Sequence, residues 1–348
     1  MYKKIILMVL CSSCIYLNAD ILKTGQVKSY DQNGNEVSYG TVKDDGYYRK
    51  GLIRSYSRVN GMVTDRITDL VWQDNYSDNG GEVRQDTWSE AKAYCEKKGW
   101  RLPTVNELAS IIDSGHANPS LTPNTFFTIA PADYGYGPYW TSTEANSDKT
   151  NRAWQIIFNR GIIKTESKFN MGFVRCVKGP KQNPLEFVRN NSKQTVKDKT
   201  NGLEWQDTDT SNLSLTRWID AISYCENLTL GGYSDWRLPN YNELLSIVNY
   251  QKNTPAINSA FQNVKSKPYI TSTTDATTYN DGIWYVHFDN GSTNPFGRTQ
   301  QSSDINIRCV RGKAIDTPSV KILPSVIIVP MSNGESITVV VMLKEKNY

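Results

Sequence analysis

Residues 88–95 read WSEAKAYC, and residues 218–225 read WIDAISYC. The two stretches place a tryptophan, an alanine, a tyrosine and a cysteine at the same spacing. Apolar residues that recur every three or four positions predict an amphipathic helix. In the first copy, Thr87 and Glu90 form the pattern of a capping box at the helix start, and Gly99 is a typical stop. The chain is therefore expected to contain one helix twice.

Five further blocks recur in the same order on both sides of this helix. They are DRITDLVWQD at 65–74 with DKTNGLEWQD at 198–207, WRLPTVNEL at 100–108 with WRLPNYNEL at 236–244, YWTST at 139–143 with YITST at 269–273, residues 154–161 with 284–291, and RCVKG at 175–179 with RCVRG at 308–312. Tryptophans that match between copies are typical of buried core positions, and only Trp140 has no counterpart, because Ile270 takes its place. The chain thus contains two tandem domains, which we place at 65–179 and 198–312.

The order of the patterns within one copy predicts the fold class. Thr104 and Glu107 repeat the capping-box pattern at the start of a second helix. Short β-prone runs separated by Gly, Asn, Pro and Ser follow the two helices. Two early helices before short antiparallel strands predict an α+β fold.

The first residues resemble a secretory signal. Lys3 and Lys4 precede a short apolar run, and residues 17–19 form an acceptable cleavage site, so we assign 1–19 to a signal peptide. A membrane anchor is the alternative, but the run is far shorter than a span requires. Acylation at Cys14, as in a lipoprotein, is the second alternative. We expect an exported protein that is periplasmic, bound to the cell surface or secreted.

Four cysteines follow the predicted signal peptide. An even number of cysteines in an exported chain predicts disulfide bonds. Each repeat contains one early and one late cysteine, so the simplest pairing is Cys95 with Cys176 and Cys225 with Cys309. Each bond would connect the beginning of a domain to its end.

Three segments lie outside the two copies. Residues 20–64 are polar and rich in glycine, and we expect this lead-in to pack on the first repeat as an irregular hairpin. Residues 180–197 are assigned to a linker. Residues 313–348 contain two β-prone runs around the turn sequence Ser-Asn-Gly at 332–334, which predicts a C-terminal β-hairpin.

The repeated blocks resemble the Lcl C-terminal domain family, which is named for the end domain of a collagen-like adhesin. The resemblance covers nearly all of 65–312. More distantly, Trp88, Ala91 and Cys95 are similar to the opening helix of C-type lectin-like domains, whose cysteine bonds one in the last strand. The RLP segment also resembles formylglycine-generating, sulfatase-modifying domains. The family resemblance implies an exported or surface-exposed domain and, for the adhesin, binding of sulfated polysaccharide.

Residues with catalytic or metal-binding chemistry are few. The only histidines are His116 and His287, which disfavours a histidine-based zinc or iron site. Calcium stays an alternative, because residues 207–212 supply hard oxygen ligands. No thiol is left over for the redox chemistry of a formylglycine-generating enzyme. A net charge of +4 does not indicate nucleic acid as a partner.

Tyrosines and cations in the later part of each repeat are the best candidates for ligand contacts. Tyrosine rings stack on sugars, and guanidinium groups bind sulfate or carboxylate. The candidate residues are Tyr136, Tyr139, Arg152, Arg160, Tyr279, Tyr285 and Arg298. We therefore predict a non-catalytic binding or adhesion module for an extracellular or cell-wall polysaccharide, or for a surface protein. A degenerate relative of the formylglycine-generating oxidases and a structural envelope protein are the alternatives.

Overall fold

The computed structural model describes residues 21–115, 126–130, 137–158, 161–180, 185–209, 217–275, 282–297, 306–312, 322–330 and 336–344. The predicted signal peptide, with Cys14, lies outside these residues, as do His116 and the turn at 332–334. In the described part of the chain, no helix has the length and apolarity that a membrane crossing requires.

The lead-in has little regular structure. Its elements are the paired strands β1 (Ser29–Tyr30) and β2 (Glu36–Val37) and the short helix α1 (Asp45–Tyr48). Asp44 lies just before α1, and its carboxylate accepts hydrogen bonds from the backbone N–H of Tyr47 and the hydroxyl of Ser29. One buried carboxylate thus fixes both the helix start and the hairpin.

The first repeat contains two sheets and two α-helices. Its elements are β3 (Tyr56–Val59), β4 (Met62–Asp65), β5 (Val71–Gln73), a 3-10 helix (Ser77–Asn79), β6 (Gln85–Asp86), α2 (Trp88–Lys97), α3 (Val105–Ala109), β7 (Pro138–Glu144), β8 (Arg152–Ile157), β9 (Ile162–Ser167), β10 (Gly172–Phe173) and β11 (Val177–Lys178). One sheet has the order β11-β5-β4-β3, and the other has the order β6-β10-β7-β8-β9.

The second repeat has the same plan. Its elements are β12 (Phe187–Asn190), β13 (Thr195–Asp198), β14 (Glu204–Gln206), α4 (Trp218–Glu226), α5 (Tyr241–Ser246), β15 (Pro268–Thr274), β16 (Gly282–His287), β17 (Thr293–Gly297) and β18 (Val310–Arg311). The sheets have the orders β12-β13-β14-β18 and β15-β16-β17. In the tail, β19 (Ile322–Pro330) and β20 (Ser336–Lys344) pair antiparallel, as predicted.

The two predicted early helices are present in each repeat, but they are not its first elements. Three antiparallel strands precede the helices in both copies, and β12 and part of β13 lie inside the segment assigned to a linker. The repeated aspartates explain the turns between these strands, because Asp65 accepts from the N–H of Ile67 and Asp198 from the N–H of Thr200. Such aspartate turns close a hairpin without a helix.

The predicted capping boxes and disulfides are confirmed. Glu90 accepts from the N–H of Thr87, and Glu107 accepts from the N–H of Thr104. Cys95 bonds Cys176 and Cys225 bonds Cys309, with a Cα–Cα distance of 5.5 Å in each case. Each bond ties the first helix of a repeat to the residue before its last strand. The fold is therefore mostly β, with few helices and one disulfide per repeat.

The two repeats share one hydrophobic core. The rings of Trp154 and Tyr250, one from each repeat, meet edge to face at 4.9 Å between centroids. Across the same boundary, the Tyr241 hydroxyl donates to the carbonyl of Gly161 at 3.0 Å. The repeats therefore form one packed body rather than two separate units.

Residues 56–64 of the lead-in form β3 and most of β4 in a sheet of the first repeat, as expected, but residues 21–50 pack mainly on the second repeat. Val42 is buried in a core cluster of the second repeat, and Lys43 pairs with Glu226 at 2.7 Å. The first repeat receives smaller contacts, such as the N–H of Ser114, which donates to the carbonyl of Thr24 at 2.6 Å. The lead-in is far from the second repeat in sequence, so no local pattern indicates this position.

Candidate functional site

The polar residues of the repeated blocks lie inside the fold. In the first repeat, Arg175 is buried and its guanidinium donates to the Asp74 carboxylate at 3.0 Å. Arg58 reaches the same carboxylate from β3 at 2.6 Å. A buried carboxylate between two guanidinium groups is compensated and hydrogen-bonded, which is the condition for burying charge. Arg175 and Asp74 therefore stabilise the domain and are not exposed to a ligand, whereas Arg58 is partly exposed.

The second repeat contains the same arrangement. Arg308 donates to Asp207 at 2.9 Å, and Arg189 contacts that carboxylate from β12. The carboxylate also accepts from the N–H of Gln262 at 2.9 Å. Asp207 is thus fully engaged, so the oxygen-rich run at 207–212 does not offer this carboxylate to calcium. Residues 210–212 lie outside the described residues.

The matched arginine and glutamate of the WRLP blocks form a second pair, which is buried in the second repeat and partly exposed at its arginine in the first. Arg101 contacts both oxygens of Glu107 at 2.7 Å, and Arg237 contacts both oxygens of Glu243. Each glutamate also accepts the N–H at the start of its helix. Sequence reasoning missed the Arg175–Asp74 type of pair. The sequence signal for it was an arginine and an aspartate that are both repeated: the arginine precedes the second cysteine of each repeat, and the aspartate follows the WQ of the first block.

Of the predicted ligand residues that the structure describes, two are buried and one is half-buried. Tyr139 and Tyr285 were expected to be exposed, which is wrong, because both side chains are buried. The Tyr139 hydroxyl accepts from the N–H of Ala130, and burial raises its pKa above the usual range. Arg152 is half-buried and donates to the Thr165 carbonyl at 2.9 Å. The candidates outside the described residues are Tyr136, Arg160, Tyr279 and Arg298.

An exposed aromatic and cationic surface lies instead beside α2 of the first repeat. The Phe169 side chain is 76% exposed, and Met171 is 54% exposed. The ammonium groups of Lys168 and Lys92 lie 4.1 and 4.8 Å from the centre of the Trp88 ring. We call these five residues the Phe169 patch. Exposed apolar groups beside organised cations are a typical feature of a recognition surface.

The charges of the Phe169 patch differ in their partners. Lys168 is held by Glu144 at 2.6 Å and by the carbonyl of Lys149. Lys92 has no acidic partner within the described part of the chain. In the second repeat, Ile222 occupies the position of Lys92, so this cation belongs to the first repeat alone.

A cleft of about 730 Å³ opens between the two repeats. Its first wall belongs to the first repeat and carries Lys92, Glu96, Arg101, Thr104, Asn106 and Thr143. Residues 245–251 of the second repeat form the opposite wall, and Ile21 and Leu22 of the lead-in close one end. Clefts at domain boundaries are common places for ligands.

A model of the Lcl C-terminal domain matches residues 61–178 and, a second time, residues 194–311. The chain belongs to the Lcl C-terminal domain family. The two matches contain both disulfides, both buried Arg–Asp pairs and the Phe169 patch. No curated protein matches the chain.

The two Lcl C-terminal domains contain little that a metal ion requires. Among the described residues, no group of three His, Cys, Asp or Glu side chains is placed to hold a metal. His287 lies 3.8 Å from Asp289, and burial lowers the pKa of its imidazole. All four cysteines of the two domains are in disulfides, which fits an oxidising, extracytoplasmic compartment.

Proposed function

We propose that this chain is an exported, non-catalytic binding module that recognises an acidic extracellular or cell-wall polysaccharide through the Phe169 patch. The carrying observation is the exposed Phe169 side chain, which follows Lys168 in the chain, together with the ammonium groups of Lys168 and Lys92 over the Trp88 ring. An aromatic face packs on a sugar ring, and ammonium groups attract sulfate or carboxylate. The patch therefore offers both contacts that an acidic sugar needs.

The pairing of the other repeated polar residues supports binding rather than catalysis. The Arg175–Asp74 and Arg101–Glu107 pairs are satisfied by one another, so neither offers an acid or base to a substrate. Both cysteine pairs are closed as disulfides. A degenerate formylglycine-generating oxidase is the second candidate from the sequence, and it would need free thiols and stoichiometric copper or iron.

The family resemblance supports two finer parts of the proposal. The disulfide between the first helix and the residue before the last strand agrees with the plan of C-type lectin-like domains. The disulfides and the signal-like start together favour a periplasmic, secreted or surface-bound protein. We therefore propose a C-type lectin-like plan for each repeat and an extracytoplasmic location for the protein.

Titration with a sulfated polysaccharide and with a neutral one of similar length tests the function. We expect the purified protein to bind the sulfated chain and to lose affinity steeply as salt rises, because exposed charges are screened. Phe169→Ser and Lys92→Glu should each weaken binding about tenfold or more. Tyr39→Ser is the matched control, since Tyr39 is an equally exposed aromatic residue of the lead-in.

Two results would contradict the proposal. If Phe169→Ser and Tyr39→Ser had the same effect, the patch would not be the binding surface. If metal analysis and thiol titration found stoichiometric copper or iron with free cysteines, the oxidase alternative would be favoured. A protein that bound neither polysaccharide would point to a structural role in the envelope.

A further inference from the structure

The lead-in covers a specific surface of the second domain. The Asp45 carboxylate accepts from the Thr273 hydroxyl at 2.7 Å, and the Gln26 side chain accepts from the N–H of Thr274 at 2.8 Å. The carbonyl of Lys50 accepts from the Asn240 side chain at 3.2 Å. The covered surface thus binds the lead-in through main-chain and side-chain hydrogen bonds.

An aromatic residue completes the contact. The Tyr48 ring lies against the Arg237 guanidinium, 5.5 Å from its carbon to the ring centroid. The Tyr48 hydroxyl donates to Glu226 at 2.7 Å. Asp45 and Tyr48 are three residues apart on the single turn of α1, so they present a carboxylate and a ring to the same surface.

The first domain has the same surface in the wall of the cleft. The repeated blocks match Thr273 with Thr143, Arg237 with Arg101, Glu226 with Glu96 and Asn240 with Thr104. All four of these first-domain residues line the cleft. The supporting geometry is also the same, since Thr143 accepts the N–H of Val105 as Thr273 accepts the N–H of Tyr241.

The two surfaces differ because the lead-in covers only the one in the second domain. The Arg101 side chain is 26% exposed, whereas Arg237 is 4% exposed under the lead-in. Thr104 is exposed, whereas Asn240 is buried. The Thr143 hydroxyl donates to no group within the described residues, while its counterpart Thr273 donates to Asp45. The first domain therefore retains an uncovered docking surface whose covered form is visible in the second domain.

We infer that the first-domain wall of the cleft binds a polypeptide segment of a partner protein that presents an aspartate followed three residues later by an aromatic residue. The aspartate accepts from Thr143, and the aromatic ring packs on Arg101. Lys92 replaces the apolar Ile222 at the edge of this surface, so the partner presents a polar or acidic side chain there. This surface shares Lys92 with the Phe169 patch but does not include the Phe169 ring.

A labelled peptide of residues 22–50 tests the inference, because it contains the lead-in groups whose hydrogen bonds to the second domain are described above. Fluorescence anisotropy with the intact protein should show saturable binding. Asp45→Asn in the peptide and Thr143→Val in the protein should each weaken binding at least about tenfold. Asn106→Arg, on the exposed wall, should block binding without disturbing the core.

Thr273→Val is the matched control, since it removes the same hydroxyl from the covered surface. Loss of peptide binding in Thr273→Val but not in Thr143→Val would overturn the inference, because the peptide would then be replacing the lead-in. No saturable binding up to about 1 mM would also overturn it. Phe169→Ser should leave peptide binding unchanged, so failure of the polysaccharide proposal is distinguished from failure of this one. Self-association of the protein that Asn106→Arg abolishes would show a second copy as the occupant and overturn the choice of a partner.

Discussion

At the scale of single residues, the matched charges of the two repeats are structural. Arg175 has the strongest structural role that we expect, because it is buried and donates to the buried Asp74. Truncation to Ala leaves the Asp74 carboxylate without its buried partner, which costs about 3–5 kcal/mol. We expect Arg175→Ala to lower the free energy of unfolding in urea by this amount.

The control for this substitution uses the same carboxylate. Arg58 also pairs with Asp74, but its side chain is 43% exposed, and exposed partners of ion pairs contribute about 1 kcal/mol or less. Arg58→Ala should therefore have a much smaller effect than Arg175→Ala. Equal losses of stability in the two variants would show that burial of Arg175 is not the decisive feature.

Asp45 predicts a dependence of stability on pH. Burial, partly opposed by hydrogen bonds from Thr24 and Thr273, raises the pKa of Asp45 to about 7. The nearby carboxylates of Glu243 and Asp44 act in the same direction as burial. Between the unfolded pKa of 3.8 and the folded value, the folded protein holds a proton that the unfolded chain has lost. Stability therefore falls as pH rises through this window.

The size of this effect follows from 1.36 kcal/mol per pH unit, which gives on the order of 2 kcal/mol between pH 5.5 and 7.5. Asn at position 45 does not titrate, so Asp45→Asn should lose this contribution to the pH dependence. Urea unfolding of both proteins at the two pH values measures it. The same pH dependence in wild type and variant would refute the role of Asp45.

Residue identity was a poor guide to exposure. Tyrosine is ambiguous because its ring is apolar and its hydroxyl polar, so Tyr139 and Tyr285 fit a binding loop as well as a core. Phe169 was missed for the opposite reason, since an isolated phenylalanine is expected to be buried. Only the position of each strand in its sheet decides which side chain faces inward.

At the scale of elements, the helices and the disulfides were predictable because their signals are local or repeated. A capping box needs residues three apart, as at Thr87 and Glu90. The three strands before each helix pair were missed, because β4 and β5 have four and three residues and show no long alternation. The pairing of β5 with the distant β11 is not local.

The two disulfides predict matched losses of stability. They join cysteines 81 and 84 residues apart, so each closes a loop of nearly the same length. Loops of this size correspond to about 4–5 kcal/mol in the chain-entropy model. We expect Cys95→Ala with Cys176→Ala, and Cys225→Ala with Cys309→Ala, to lower the unfolding free energy by similar amounts. A difference of more than about 2 kcal/mol would show that strain or residual structure outweighs loop length.

At the scale of the whole molecule, the lead-in joins the two domains. Its residues contact Ser114 of the first domain and Glu226 and Thr273 of the second. The sequence analysis expected the contact with the first domain but not the one with the second, because docking surfaces far apart in the chain leave no periodic pattern. Comparison of the two repeats shows what a single domain would not: the lead-in covers this surface in the second domain, and the matching surface of the first domain is open.

The contacts of the lead-in predict that the second domain depends on it more than the first. Deletion of residues 21–50 exposes Val42's site in the second-domain core and leaves Thr273 and Glu226 without their lead-in partners. One buried Val and several hydrogen bonds correspond to about 3 kcal/mol or more. We expect the second domain to unfold at lower urea than the first.

Reduction and alkylation at increasing urea measures the two domains separately, because each has its own disulfide. In the truncated protein, Cys225–Cys309 should become reducible at lower urea than Cys95–Cys176. In the full chain, the two bonds should become reducible at more similar urea concentrations. Deletion of residues 313–348 is the control and should shift neither bond, since both disulfides lie before the tail. If removal of 21–50 exposed Cys95–Cys176 first, the lead-in would be part of the first domain, as its position in the sequence suggests.

The lead-in covers in the second domain the surface that is open in the first. Loss of the lead-in should therefore also create a second site for the peptide of residues 22–50, and Thr273→Val should remove that added site.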